Sequence, residues 1–295
     1  MVLGERTRSK EDIEEDIGKL GEWVLKQPHL PHFVQKDILS SFVVGTKSLE
    51  IAKQKLEAYF TWRGRLPNIF SFSARDGTDP YFKQCSRAGQ LFFLPKATPK
   101  GYRVMFMACK FTDILAKLFD HDQTTAAIFM SLELAMHLWP DMEALYVVID
   151  METFSLGHVT MLSINTLQAS IRCFLESMPV RFKGATAFNA GYFINILFNN
   201  AMKPFMSEKF LERINITTDG KDSLQNVIPF ELLPSNYGGN EKSSSELFGD
   251  WFKLLEENRD WFKSTSSLFS DESKRPTDRK HTFGIEGTFR KLNID

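Results

Sequence analysis

The feature that most constrains the fold is an unbroken apolar run, Leu-Tyr-Val-Val-Ile, at positions 145–149. A run this short and this apolar is typical of a strand that is buried on both faces of a parallel sheet. Apolar residues then recur at helical spacing over positions 164–178, and positions 181–187 alternate apolar with charged or small residues. Because the order is strand, helix, strand, the sequence predicts the α/β fold class.

The sequence on either side of this layer predicts further regions. Residues 1–75 have helical apolar periodicity and predict an N-terminal helical domain, and the polar, turn-rich stretch 71–80 predicts a linker. Residues 76–240 carry the α/β pattern. Residues 241–295 predict an amphipathic C-terminal helix, followed by a Ser-, Lys- and Arg-rich tail over 264–282 that we expect to be mobile.

The charge balance and the phenylalanine content both limit the function. The chain of 295 residues has 36 Lys and Arg against 37 Asp and Glu, which gives a net charge of −1. We therefore expect no nucleic-acid partner, since binding to phosphates needs a strong positive excess. Phe occurs 27 times, whereas Trp occurs 5 times and Tyr 6 times. This excess fits either a Phe-rich core or a large apolar cavity.

The cysteines and the amino-terminal residues predict a compartment. Cys85, Cys109 and Cys173 are odd in number and widely spaced, which is typical of free thiols in a reducing environment. The first 16 residues are charged from Glu5 onward and contain no apolar core, so they do not match a signal peptide. No apolar run reaches the roughly 18–20 residues that span a bilayer. We therefore expect a cytoplasmic protein.

Motifs that would carry catalysis are absent from the sequence. There is no GxGxxG, P-loop, HExxH or GxSxG motif and no closely spaced Cys/His cluster. His29 and His32 are close together, but two ligands in a turn do not make a four-ligand metal cage. Glu133 lies in an apolar helical stretch, where a lone carboxylate is more often an ion-pair partner than a general acid. We expect no enzyme activity, no metal site and no cofactor.

The strongest functional signal lies at positions 190–213. The first part, 190–202, is apolar nearly all around a helix, so it has no polar face for solvent. It ends at Lys203-Pro204, where proline must break or kink the helix. One interpretation is a buried helix, and the other is an apolar flap hinged at the proline.

Four cations accompany this segment. Arg181 and Lys183 lie two apart, on one face of a predicted strand, and Lys209 and Arg213 lie four apart, on one face of a predicted helix. If the flap opens towards an anionic membrane, each cation contributes roughly 1 kcal/mol to docking. The alternative is two ordinary, solvated charge pairs, and the pattern alone leaves both open.

Two motifs in the second half of the chain resemble those of the CRAL-TRIO lipid-transfer family. Residues 202–214, MKPFMSEKFLERI, resemble the segment that carries the mobile gate of that family. Residues 232–239, LLPSNYGG, are close to its LPxEYGG signature. The strand end at 148–150, VID, and the segment 178–184, MPVRFKG, fall in the expected order.

The resemblance covers roughly residues 10–240, and it is strongest to the tocopherol-transfer members of the family. Residues 284–292 also resemble the ending of their insect relatives. The resemblance implies an N-terminal helical bundle followed by a lipid-binding domain, in which a mixed β-sheet floors a closed apolar cavity. Residues 189–213, here called the gate segment, would form a mobile helical gate over that cavity.

Site residues also follow from the resemblance. Arg181, Lys183, Lys209 and Arg213 would engage phosphoinositide headgroups during transient contact of a monomeric carrier with membranes. The implied cavity wall consists of Ile128, Leu132, Ile149, Ile171, Phe174, Leu175, Val180, Phe198, Met202 and Met206.

The implied ligand is a small hydrophobic lipid, with alpha-tocopherol or a similar isoprenoid ahead of a retinoid or carotenoid. Ile128 and Leu132 replace serines that help the family to bind the chromanol hydroxyl, and a buried, unpaired hydroxyl costs at least ~1–3 kcal/mol. Gly45 stands where the family has a further headgroup-binding arginine. The alternatives are transfer of phosphatidylinositol or another phospholipid, and a regulatory module that recruits a protein partner.

Overall fold

The computed structural model describes residues 8–109 and 119–276, with a five-stranded sheet at its centre. β1 is antiparallel to β2, and β2, β3, β4 and β5 are parallel to one another in that order. The predicted α/β fold class with a mixed sheet is confirmed. The strands are β1 (Gly89–Phe93), β2 (Tyr102–Cys109), β3 (Ala144–Asp150), β4 (Arg181–Phe188) and β5 (Ile214–Ile216).

Helices account for most of the remaining described residues. The long helices lie at the positions where the sequence has helical periodicity. The α-helices are α1 (Lys10–Leu25), α2 (Lys36–Val44), α3 (Leu49–Arg65), α4 (Pro67–Phe70), α5 (Pro80–Ala88), α6 (His121–Leu138), α7 (Leu156–Val159), α8 (Ile164–Ser177), α9 (Tyr192–Leu197), α10 (Glu208–Leu211), α11 (Ser244–Glu257) and α12 (Arg259–Thr265).

β3 is the apolar run at 145–149 extended by one residue at each end. It pairs with β2 on one side and β4 on the other. Val147 packs on one face of the sheet against part of the gate segment. On the opposite face, the rings of Phe106 and Phe188 pack against Tyr237, with centroids 4.9 and 5.8 Å away. A strand with both faces covered must be apolar throughout, which explains why β3 does not alternate.

The N-terminal helices share one core with the sheet. Ser48 caps α3, with its hydroxyl oxygen accepting from the Ile51 amide at 3.3 Å. Leu20 of α1, Phe42 of α2 and Leu56 of α3 are fully buried in the same apolar cluster as Phe92 and Phe106. The apolar core is therefore continuous from the first helix to the sheet.

The polar stretch at 71–80 is not an extended linker. The Arg75 side chain within it is completely buried. Asp76 accepts two hydrogen bonds from the Arg259 guanidinium, at 2.7 and 2.9 Å, and Asp79 caps α5. The polar residues of this stretch therefore make ion pairs and a helix cap inside the fold. Composition alone does not distinguish such residues from those of a solvent-exposed linker.

A buried ion network joins three parts of the chain. Glu133 of α6 accepts hydrogen bonds from Arg63 of α3 at 2.6 Å, from Arg75, and from the Tyr59 hydroxyl at 2.9 Å. Burial alone would raise the pKa of Glu133, but the charges of Arg63 and Arg75 outweigh it and hold that pKa below its usual value. The predicted ion-pair role of Glu133 is confirmed.

The C-terminal residues are fixed along α3. Arg63 donates to the carbonyl oxygens of Thr265 and Leu268, at 2.6 and 2.8 Å. Farther along, Arg275 donates to Thr61 at 2.8 Å and pairs with Glu57. The expectation of a mobile tail is thus wrong for residues 264–276, because buried α3 side chains bind this stretch, and residues 277–282 lie outside the described chain.

We predict that Glu133→Gln lowers the free energy of unfolding by about 3–5 kcal/mol, since it leaves two buried guanidinium groups without their counter-charge. Urea unfolding followed by circular dichroism measures the loss. The matched control is Glu50→Gln, because Glu50 pairs with Lys53 at 2.6 Å but its side chain is 74% exposed. We expect the control to change stability by less than about 1 kcal/mol. Equal effects of the two substitutions would contradict the network's importance.

Candidate functional site

The gate segment is a chain of short helical pieces. α9 is followed by a π-helical turn (Phe198–Met202), a 3-10 turn (Lys203–Phe205) and, after Ser207, α10. Pro204 has no amide hydrogen to donate, so the regular helix ends before it, as the sequence predicts. The apolar stretch changes from α-helix to a π-helical turn before the proline, so it does not form one continuous helix.

An apolar cluster, here called the gate cluster, joins the gate segment to α8 and the sheet. The rings of Phe182 on β4 and Phe210 on α10 stack with centroids 4.3 Å apart. Val147 and Ala185 contribute the sheet face. Six of the ten predicted wall residues meet in this cluster: Ile171, Phe174, Leu175, Phe198, Met202 and Met206.

The other four predicted wall residues lie elsewhere. Leu132 is buried in the main core, and Ile128 and Val180 pack against that core. Ile149 packs in a small separate cluster with Phe119. None of the ten predicted wall residues lines the cavity of about 330 Å³ beside Asp150 and Tyr237 or the cavity of about 150 Å³ between α1 and α2.

α8, the helix beneath the gate segment, is anchored to α3. The Lys55 ammonium donates to the carbonyl oxygens of Leu175 and Met178 at 3.0 and 2.9 Å, and the Trp62 indole donates to Glu176 at 2.8 Å. Burial lowers the pKa of Lys55 to about 8, although the Glu176 charge opposes the shift. A cation at the carboxyl end of α8 also interacts favourably with the negative end of the helix dipole. The N-terminal helices thereby fix the position of α8.

Three of the four predicted headgroup cations lie at the amino-terminal ends of neighbouring parallel strands. Arg181 and Lys183 are on β4, and Arg213 directly precedes β5 and donates to the Phe182 carbonyl oxygen at 2.8 Å. Lys183 is exposed and lies 5.6 Å from the Tyr102 ring centroid. Lys209 is exposed on α10. This helix ends at Leu211, so the helical spacing assumed for Lys209 and Arg213 does not reach Arg213.

The structure explains the glycine at position 45. A Cβ atom built on Gly45 would lie 1.4 Å from the Pro179 carbonyl oxygen, far closer than two non-bonded atoms can approach. Pro179 lies two residues before Arg181, so the end of α2 packs directly beside the start of β4. The arginine that the family resemblance implies at position 45 is therefore incompatible with this packing.

A buried hydrogen-bond network at the start of the gate segment was missed from the sequence. The Asp150 carboxylate at the end of β3 accepts from the Tyr237 hydroxyl at 2.7 Å, the Asn189 amide nitrogen at 2.9 Å and the Glu152 backbone amide at 3.0 Å. Asn189 has a positive φ of 53°, which asparagine tolerates better than most residues. Asp150 and Tyr237 both lie in the quoted motifs, but their contact spans 87 positions.

The described residues contain no group of three or more His, Cys, Asp or Glu side chains that could hold a metal ion. Cys85, Cys109 and Cys173 are free, as the sequence predicts, and all three are buried. In the same residues, every helix is too short or too polar to cross a bilayer.

We predict that Tyr237→Phe lowers the free energy of unfolding by about 1.5–3 kcal/mol, because a buried carboxylate loses a hydrogen-bond donor. It should also speed amide hydrogen exchange in residues 189–197, because Asp150 binds Asn189 at the start of this stretch and would be held less firmly. Mass spectrometry after deuterium labelling measures the second effect. Tyr81→Phe is the control, since the Tyr81 hydroxyl donates to Asp120 at 2.8 Å in an exposed position. Unchanged exchange over 189–197 in Tyr237→Phe would show that the Tyr237–Asp150 hydrogen bond does not hold the start of the gate segment in place.

Comparisons with known proteins give the following similarities. The family profile described as "CRAL/TRIO domain" matches residues 87–239, and the profile described as "Pinta-like, UBA domain" matches residues 9–81. Clavesin-2 of Mus musculus is 27% identical over 244 residues, which cover 80% of this chain and 71% of clavesin-2. Clavesin-1 of Xenopus laevis is 24% identical over 265 residues, which cover 85% and 74% of the two chains.

The crystal structure of Sfh5 superposes with a TM-score of 0.47 at 15% identity, and the match covers 81% of this chain and 78% of Sfh5. The relatives named above are clavesins, so particular closeness to the tocopherol-transfer members stays a prediction. The CRAL/TRIO match spans just over half of the 295 residues. This extent, together with the mixed sheet and its helices, shows that the chain belongs to the CRAL/TRIO domain family.

Proposed function

We propose that this chain carries a small hydrophobic lipid in a cavity beneath the gate segment and exchanges it at phosphoinositide-containing membranes. The CRAL/TRIO family binds and transfers hydrophobic lipids and associates with membranes. The observation that carries the proposal is the gate cluster, in which apolar side chains of the gate segment, α8 and the sheet face one another.

The composition of the gate cluster favours an apolar ligand. Separating Phe198 and Met202 from Ile171 and Phe174 would create a space lined by hydrocarbon, thioether and aromatic groups. A lipid entering that space gains roughly 25 cal/mol per Å² of apolar surface removed from water, while burying a charged headgroup against these apolar groups would be unfavourable. This chemistry supports alpha-tocopherol, a similar isoprenoid, a retinoid or a carotenoid over phosphatidylinositol.

The outer surface of the gate segment supports contact with a membrane. Tyr192 and Ile196 on α9 are exposed, at 78% and 48%, although Ile196 is apolar and Tyr192 carries a large aromatic ring. Lys209 on α10 and Lys183 on the neighbouring strand are exposed cations. Apolar side chains that enter the lipid interface and cations that bind anionic headgroups are the two attractions that hold peripheral proteins on membranes.

The first test identifies the ligand. The full chain is incubated with a mixed lipid extract, repurified, and its bound lipids are extracted for mass spectrometry. We expect one tocopherol-, retinoid- or carotenoid-like molecule at about one per chain, because a single gated cavity holds a single small lipid. Recovery of phosphatidylinositol or mixed phospholipids would replace the isoprenoid carrier with a phospholipid transfer protein. A protein that binds none of these would refute the carrier proposal.

The second test addresses the membrane. We predict that Lys183→Glu/Lys209→Glu weakens binding to vesicles containing phosphatidylinositol 4,5-bisphosphate at least about 30-fold, since two cations contribute roughly 2 kcal/mol. Vesicle co-sedimentation measures binding, and a fluorescent-ligand assay measures transfer. The control is Lys242→Glu/Lys253→Glu, which reverses two exposed lysines next to and within α11. Equal loss in both double variants would mean that only overall charge matters, and no loss would remove the proposed docking site.

A further inference from the structure

A groove on the N-terminal helices exposes large apolar side chains. Its cavity has a volume of about 150 Å³ and is lined by residues of α1, the loop that follows it, and α2. Leu25 at the end of α1 is 62% exposed, and Phe33 in the loop is 70% exposed. Two such side chains at one groove mark an interaction surface, because covering them removes apolar area from water and stabilises the covered state. The lining residues are Gly21, Val24, Leu25, His32, Phe33, Val34 and Leu39.

The last described residues contact the loop that leads into this groove. The Asp271 amide donates to the His29 carbonyl oxygen at 2.8 Å. The His29 ring and the Arg275 guanidinium both contact the Glu57 carboxylate, the ring at 3.0 Å. Phe33 follows His29 by only four residues, which span at most about 14 Å. The residues after Pro276 therefore start within reach of the groove.

The sequence after Pro276 has the composition of an occupant for this groove. Residues 277–295 combine apolar side chains with four cations and three carboxylates, whereas α1 has six acidic residues against two lysines. The apolar side chains complement the apolar groove, and a small positive excess is compatible with the acidic helix on which the groove lies. The apolar residues are Phe283, Ile285, Phe289, Leu292 and Ile294, and the cations are Arg279, Lys280, Arg290 and Lys291.

We propose that residues 283–294 dock in the groove between α1, the loop at 32–34 and α2 of the same chain, with aromatic or aliphatic side chains covering Leu25 and Phe33. Six intervening residues, 277–282, span at most about 20 Å, and the docking segment itself, 283–294, adds to that reach. So short a connection gives an effective concentration on the order of 1 mM. An intrinsic dissociation constant of about 100 µM then keeps the groove filled roughly 90% of the time.

The first experiment tests proximity in the full chain. The photo-crosslinker p-benzoylphenylalanine replaces Phe33, and after irradiation at low micromolar concentration the crosslinked peptides are identified by mass spectrometry. We expect crosslinks to residues 283–294 within one chain. The same crosslinker at Tyr81, which is 51% exposed on α5, serves as the control and should not reach this segment. Crosslinks between two chains would assign the groove to a second copy, and an absence of crosslinks to 283–294 would also overturn the proposal.

The second experiment tests the contact energetically. Deuterium exchange of residues 283–292 is compared between the wild-type chain and Leu25→Asp/Phe33→Asp. Because 90% occupancy slows exchange about tenfold, we expect the double variant to exchange about tenfold faster in this segment. Both substituted positions are exposed, and Met161→Asp, at a position that is 46% exposed outside the groove, is the matched control. Unchanged exchange in the double variant, or an equal increase in the control, would overturn the proposal.

Discussion

The buried charge of Glu133 is the constraint on which the rest of the structure depends. Its carboxylate lies on α6, inside the continuous core, and two guanidinium groups and a phenol surround it. Arg63 brings α3 to this point and also holds the backbone at Thr265 and Leu268. A buried charge that lost these partners would be strongly unfavourable, so three distant parts of the chain must assemble together.

That assembly is the platform on which the candidate site lies. α3 continues from the ion network to Lys55 and Trp62, which hold the carboxyl end of α8. α8 in turn supplies one side of the gate cluster, which Val147 and Phe174 connect to the main core. The gate segment is joined to this platform through apolar packing and through the Asp150 network at its start. Apolar packing is not directional, so its contacts can be replaced by other apolar contacts without the loss of a specific hydrogen bond.

The sequence predicted elements well where local pattern and tertiary role agree. β3 was recognisable because a strand paired on both sides and covered on both faces must be apolar throughout. α8 was recognisable because its apolar residues lie on one face. Prediction failed for Arg75 and Arg275, which lie in polar stretches that look solvated. Their buried partners, Glu133 and Glu57, are 58 and 218 positions away, and nothing local marks such a pairing.

The candidate site likewise has features that local sequence predicts and features that it does not. Six of the predicted wall residues meet in one cluster because they lie on the inward faces of α8 and the gate segment, faces that helical periodicity reveals. The contact between Asp150 and Tyr237, and the exclusion of any side chain at Gly45 by Pro179, are decided only by three-dimensional packing. By itself, the sequence determined the fold class, the order of the elements and the break at Pro204, because these follow from local periodicity and from the chemistry of proline. Only the tertiary structure decided which charges are buried and which apolar faces meet, because those depend on contacts between residues far apart in the chain.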